Sequence, residues 1–330
     1  MQRFPVRALV LILAGCAPRS RPAATASARA EAPLDASVAP DGAPRDAAPA
    51  PPAGPRPIAG TLPTLAPDAP SVPPSGVCER GTCRVTGLGP GYPSRPEEGA
   101  TALPPAWAWL QRIAPGATLV LPSSAAVDLV GVVLRGPTEA TTGSRTAPVV
   151  LAPWVAFRRT GGPLTLRASG SEPTVLLLCL ARDAPGATPV TRASAQSFET
   201  SSMDALADLS WAGGAFHARI AFGAPDARRA SLELLIGSED APVAEHDHPA
   251  SWELLTALAA AGTLVLPASI TVDGGVAPRE VPVSDGQVVR VPPGVRHRWA
   301  PAGSRPLVAV QVYAPAGPEE RFRTLAGAVR

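Results

Sequence analysis

The stretch EHDHPASWELL, residues 245–255, sets His246 and His248 two positions apart and Glu253 five residues further on, in a chain with four histidines in all. On a strand, residues two apart project to one face, so the two imidazoles stand side by side while Asp247 faces away. The intervening Pro-Ala-Ser-Trp is long enough to turn a corner and bring the Glu253 carboxylate back to the same centre. A third histidine, His297, lies in GQVVRVPPGVRHRW (286–299), where Gly286, the Pro292-Pro293 pair and Gly294 mark a turn between two strands. Three imidazoles and one carboxylate form an N3O donor set. It suits one divalent transition metal (Mn, Fe, Ni, Cu or Zn) and leaves one or two positions open for water or substrate.

Working outward, the chain from about residue 98 reads as brief β-rich runs such as ATLVLP, DLVGVVLRG, TVLLLCLA, ASLELLIG and PLVAVQVYAP. Gly, Pro, Ser and Asp clusters separate them, which predicts an all-β sandwich or barrel. Helix is expected only as one or two turns in PPAWAWLQRI (104–113) and SMDALADL (202–209). Strands from 98 to 190 and again from about 210 to 315, joined by a polar stretch, predict two β domains of similar size.

His246-x-His248 with Glu253, followed by Gly286 and Pro292-x-Gly294-x-x-His297, resembles the two motifs of the cupins over about residues 210–320. The resemblance implies a jelly-roll barrel in which His246, His248, Glu253 and His297 ligate one metal. Three positions depart from the family pattern: Gly237 lies nine residues before His246 rather than six, Ala260 stands where a glycine is expected, and Pro301 stands where an asparagine often closes the second motif. A weaker likeness in the first half sets Pro153 against Pro293, Trp154 against Gly294 and Phe157 against His297. It implies a bicupin whose N-terminal barrel is degenerate and metal-free, with Phe157 filling the site. The expected fold class is therefore all-β, two cupin-type jelly-roll barrels after a disordered Pro/Ala-rich linker.

The expected divisions are 1–15 signal peptide, 16–76 tether, 77–97 a short cysteine-bearing segment, 98–190 the degenerate barrel and 191–330 the metal-binding barrel. Arg3 and Arg7 precede the apolar run Ala8–Leu13, the pattern of a secretory signal. Leu13-Ala14-Gly15-Cys16 resembles a bacterial lipobox, which implies lipidation of Cys16, and Ala17 after it implies the outer membrane, facing periplasm or surface. Residues 20–76 hold 14 prolines and no aromatic residue, too little apolar surface to offset ordering entropy. Cys78 and Cys83 flank a glycine turn. In an oxidising compartment they form a disulfide, whereas a metal site would need two further ligands not visible nearby. Cys179, inside a continuous apolar run, reads as a small core residue.

Composition excludes several classes. The net charge of +2 with scattered arginines gives no nucleic-acid footprint. All 29 basic residues are arginine, so there is neither a P-loop lysine nor a Schiff-base lysine. No G-x-S-x-G elbow occurs, and Gly87-Leu88-Gly89-Pro90-Gly91 lacks the following helix of a dinucleotide loop. His217 reads as a structural histidine, while Trp252, Arg296, Arg298, Gln311 and Tyr313 are candidates for a pocket wall. Two functions follow from the resemblance: a metal-dependent enzyme of the dioxygenase or isomerase kind, or a non-catalytic lipoprotein that binds or senses a small ligand or sugar. Expected partners are a small molecule, the membrane through the lipid anchor, and a second copy of the chain as a homodimer.

Overall fold

The structure, a computed structural model, describes residues 76–93, 103–122, 126–143, 147–183, 197–270, 276–303 and 305–327. The expected signal segment, Cys16 and almost all of the tether lie outside these residues. The first eleven strands are β1 (Gly76–Cys78), β2 (Thr82–Arg84), β3 (Ala106–Ile113), β4 (Thr118–Leu121), β5 (Val127–Arg135), β6 (Thr138–Thr142), β7 (Val149–Leu151), β8 (Val155–Thr160), β9 (Leu164–Ala168), β10 (Thr174–Arg182) and β11 (Ser197–Ser202). They form two sheets, β1-β3-β10-β5-β8-β11 and β2-β4-β9-β6-β7. Then come β12 (Leu209–Trp211), β13 (Phe216–Phe222), β14 (Leu232–Gly237), β15 (Val243–His246), β16 (Trp252–Ala259), β17 (Ala261–Ile270), β18 (Val276–Ser284), β19 (Val288–Val291), β20 (His297–Pro301), β21 (Leu307–Ala314) and helix α1 (Glu320–Gly327). Their sheets are β12-β13-β14-β21-β16-β19 and β15-β20-β17-β18, a second two-sheet barrel of the same design.

Alternation along the central strands explains the apolar runs. On β3, Trp107 and Trp109 face the first barrel's interior, while Ala106, Ala108 and Leu110 face outward into a core shared with the second barrel. Leu176, Leu178 and Leu180 of β10 point inward, and Leu177, Cys179 and Ala181 join the shared core. Leu232, Leu234, Val308, Val310 and Val312 meet them from the second barrel. Each such side chain contributes about 1.5–3 kcal/mol when buried, so the barrels are held as a pair by their larger sheets. At the polar edge of this interface, the Arg229 guanidinium lies 2.9 Å from Asp128 and 2.8 Å from Asp183, and Arg290 stacks 3.6 Å from the Trp107 ring centroid.

Several expectations are corrected. PPAWAWLQRI is strand β3 rather than helix: tryptophans that fill one barrel and alanines that let the other barrel approach impose a period of two. SMDALADL holds one 3-10 turn, Met203–Ala205, within the one or two turns expected, whereas α1 at the C-terminus was not anticipated. The boundaries at 97/98 and 190/191 divide hydrogen-bonded sheets. β1 and β2 pair in parallel with β3 and β4, and β11 pairs with β8, so the segment 77–97 and residues 197–202 both belong to the first barrel. Cys78 and Cys83 form a disulfide between β1 and β2, with Cα atoms 5.8 Å apart.

Candidate metal centre

The four predicted donors converge inside the second barrel. His246 ends β15 directly opposite His297, the first residue of β20. Glu253, near the start of β16, faces inward opposite Tyr313 of β21. His248 follows β15 in a loop whose His248 carbonyl accepts a 2.9 Å hydrogen bond from the Gly294 N–H. Gly294 itself has φ +72°, the left-handed turn that only glycine adopts cheaply. One turn therefore locks the loop carrying His248 and aims His297. The candidate ligand atoms all lie within 4.8 Å of one another, and His248, Glu253 and His297 are each only 3 % exposed.

Hydrogen bonding sets the tautomers. A carbonyl oxygen only accepts, so Nδ1–H of His246 donates to Ala244 O at 2.8 Å and Nδ1–H of His297 donates to Val295 O at 2.9 Å. In both neutral rings Nε2 is then a bare lone pair directed at the centre, and neither Nε2 has a hydrogen-bond partner among the described residues. Yet His297 Nε2 sits 2.8 Å and His248 Nε2 3.1 Å from the same Glu253 oxygen. Electron pairs crowded this closely require a cation between them, either a proton or a metal ion. The donor set and its unpartnered nitrogens fit a divalent transition metal held by His246, His248, Glu253 and His297.

Titration follows the same geometry. Burial, helped by the positive charge of Arg321, pushes His246 down to about 4. Burial also opposes charge on His297, but the Glu253 carboxylate 2.8 Å away outweighs it and raises that imidazole above 6.5. Burial would raise Glu253, and its contacts with His248 and His297 instead hold it well below the usual carboxylate range. The metal-free centre thus carries a proton on His297 up to a pH above 6.5, which a metal must displace. One displaced proton makes affinity rise about tenfold per pH unit. Affinity should climb through that range and level off once His297 is deprotonated, and titration calorimetry in buffers of different ionisation enthalpy should show the released proton. Equal heats in all buffers at pH 6.5 would contradict this reading.

Of the other candidates, Gln311 lines the site, and its Nε2 donates to Glu253 Oε1 at 2.6 Å. Tyr313, fully buried, packs against the His248 ring at 4.8 Å between centroids. Arg296 pairs with Glu245 at 2.7 Å; Arg298 is exposed, and Trp252 is half-buried outside the cavity wall. His217 is a structural residue held by Asp208 at 2.7 Å and the Gly214 carbonyl at 3.1 Å. Because Gln311 holds one carboxylate oxygen and leaves the other for metal, Gln311→Leu should weaken metal binding about 10- to 100-fold without dissolving the site. Competition against a chromophoric chelator measures this, and unchanged affinity would show that Gln311 merely packs.

A cavity of about 380 Å³ reaches His246, Glu253, His297 and Gln311, with a wall that is otherwise mostly apolar. Sequence reading missed Arg321, Phe322 and Leu325 of α1, which also line it. Their only signal is an apolar pair three residues apart within EERFRTLAG.

The first barrel shows what the centre looks like without donors. Leu121 pairs with Leu164 where His246 pairs with His297, and Leu129 lies opposite Leu180 where Glu253 lies opposite Tyr313. These leucines are essentially fully buried in the barrel interior. The counterpart of His297 is therefore Leu164 and not Phe157, whose ring instead packs at Gly131. Among the described residues no cluster of three or more potential ligands occurs in this barrel.

Two paired β-barrels, the second enclosing a His3Glu cluster, define an all-β protein with one candidate metal centre among the described residues. No protein-family profile matches the chain, and no curated protein does. Solved structures to which it is similar include Bacillus subtilis oxalate decarboxylase at pH 4.6, at 14 % identity and TM-score 0.48 over 64 % of this chain and 68 % of that one. A tryptophan-to-phenylalanine variant of the B. subtilis enzyme aligns at 13 % identity and TM-score 0.49, over 64 % and 69 % of the two chains. Neither likeness carries chemistry across to this chain.

Proposed function

We propose that the second barrel binds one divalent transition metal through His246, His248, Glu253 and His297, and uses it to bind and transform a small molecule admitted through the adjoining cavity. The observation that carries this reading is the convergence of the four donors within 4.8 Å of one another at the inner end of that cavity, with His246 Nε2 lacking a hydrogen-bond partner among the described residues. A bound divalent ion would supply Lewis-acid or redox chemistry there. The chain's own residues do the rest. The carbonyls of Ala244 and Val295 hold two imidazoles in the ligating tautomer, Gln311 orients the carboxylate, and the apolar wall excludes water from a bound ligand.

The test is the metal content of the full chain purified without chelator. About one equivalent per chain, retained through dialysis, is expected, and its identity ranks oxidation against Lewis-acid chemistry. Failure to take up manganese, iron, nickel, copper or zinc on reconstitution would sink the proposal. Export as an outer-membrane lipoprotein anchored at Cys16 is part of the same proposal and rests on the residues 1–17 alone. Labelled palmitate should enter the parent chain and not Cys16→Ser.

A further inference from the structure

Helix α1 brings an arginine to the wall of the metal cavity. The Glu319 carboxylate, fully buried, accepts from the Ala224 N–H at 2.7 Å and the Gly317 N–H at 2.6 Å, which fastens the start of the helix to the barrel. Phe322 stacks on Trp211 at 5.3 Å between centroids and fixes the helix's inner face. Arg321 is thereby set in the cavity wall, donating to the Tyr313 hydroxyl at 2.9 Å. Among the described residues no carboxylate lies within ion-pair distance of it, and its guanidinium lies 5.8 Å from the Tyr313 ring centroid and 5.0 Å from that of Phe322.

The charges along the wall have one sign left over. Glu245 is neutralised by Arg296 at 2.7 Å, and Glu253 is engaged by Gln311, His248 and His297. Among the described residues of the wall, Arg321 is the charged side chain with no ion-pair partner within 4 Å, and a metal would add more positive charge beside it. A planar guanidinium recognises a carboxylate through paired N–H groups. The rest of the wall is mostly apolar, with Leu235, Leu264, Val283, Val289 and Phe322 among its residues. Its volume of about 380 Å³ holds far more than a two-carbon acid.

We propose that this cavity takes a small carboxylic acid with an apolar body, aromatic or medium-chain aliphatic, whose carboxylate pairs with Arg321 beside the metal centre while the body fills the apolar wall. The proposal rests on the reading of the cavity as the ligand site, and it makes Arg321 the residue that selects for acids. Short dicarboxylates such as oxalate leave the apolar wall unfilled and place a second charge against it.

Trp211 and Trp299 line the cavity, so their fluorescence reports occupancy directly. Benzoate, hexanoate, oxalate, benzyl alcohol and hexanol are titrated into the full chain, metal-loaded and metal-free. Benzoate and hexanoate should bind more tightly than the matched alcohols and than oxalate. Arg321→Gln should weaken the acids about 10- to 100-fold, the loss expected for hydrogen bonds to a charged group, while leaving the alcohols nearly unchanged. Arg321→Lys should retain part of the preference. Equal binding of acid and alcohol by the parent overturns the proposal, as does parent-like binding of benzoate by Arg321→Gln, tighter binding of oxalate, or no response to either acid. Metal content of the same preparations separates the two claims: a chain that takes no metal yet prefers benzoate through Arg321 defeats the proposed function and keeps this inference.

Discussion

His297→Ala is expected to lower metal affinity on the order of 10²-fold, the largest loss from any single substitution at the centre. Four-ligand zinc sites provide about 10–16 kcal/mol in all, so one ligand of four is worth roughly 3 kcal/mol, and each 1.4 kcal/mol is a factor of ten. His297 is singled out because it is buried and held by the Val295 carbonyl, leaving no neighbouring nitrogen to replace it. Chelator competition on metal-stripped protein measures the loss, with circular dichroism showing the fold retained. Parent-like affinity in a folded His297→Ala would remove His297 from the ligand set.

The second large effect goes the other way. The triple variant Glu253→Leu/His297→Leu/Gln311→Leu copies into the second barrel the Leu129, Leu164 and Leu178 of the first, where the same strand positions are apolar and buried. Without metal, the parent buries a carboxylate, an imidazole that must hold a proton and an amide that serves only the carboxylate. Replacing such a cluster by packed apolar residues stabilises proteins by about 1–4 kcal/mol. The metal-free triple variant should therefore unfold at higher urea than the metal-free parent, and should bind no metal. Lower stability of the variant would mean that the polar cluster supports the barrel even without metal. The expected outcome says that the donors persist for function, against the preference of the core.

Linkage gives the metal-free centre an opposed pH dependence. His297, raised above 6.5, adds stability at low pH that is lost as pH rises through its folded-state value. Glu253, held below 4.5, adds stability at neutral pH that is lost as pH falls. His246, pushed to about 4, favours the unfolded chain as pH drops from 6.5 toward 4.

The four donors were legible in the chain because their positions obey local rules. His246 ends a strand, Glu253 returns on the next after a short corner, and Gly294 with its left-handed φ announces the turn before His297. The β-rich runs and their turn punctuation likewise predicted two barrels, and the isolation of His217 from both motifs matched its structural role.

What tertiary structure decided lies where one residue serves two surfaces or where chemistry is missing. Strand β3 reads as helix because the shared core buries its outward alanines as thoroughly as its inward tryptophans, which erases the polar half of the alternation. The true counterparts of the ligands, Leu121, Leu129 and Leu164, carry no sequence mark, since one buried leucine is like any other and only strand register identifies them. Arg321 lies well beyond the second motif in sequence yet faces the same cavity, because a buried Glu319 and the Phe322–Trp211 stack fold the C-terminal helix back onto the barrel. The sequence alone picked out the four candidate ligands that converge in the second barrel, through spacing that local geometry enforces. The cavity, its mostly apolar wall and the placing of Arg321 in it were decided by long-range packing, which brings together residues that no local pattern connects.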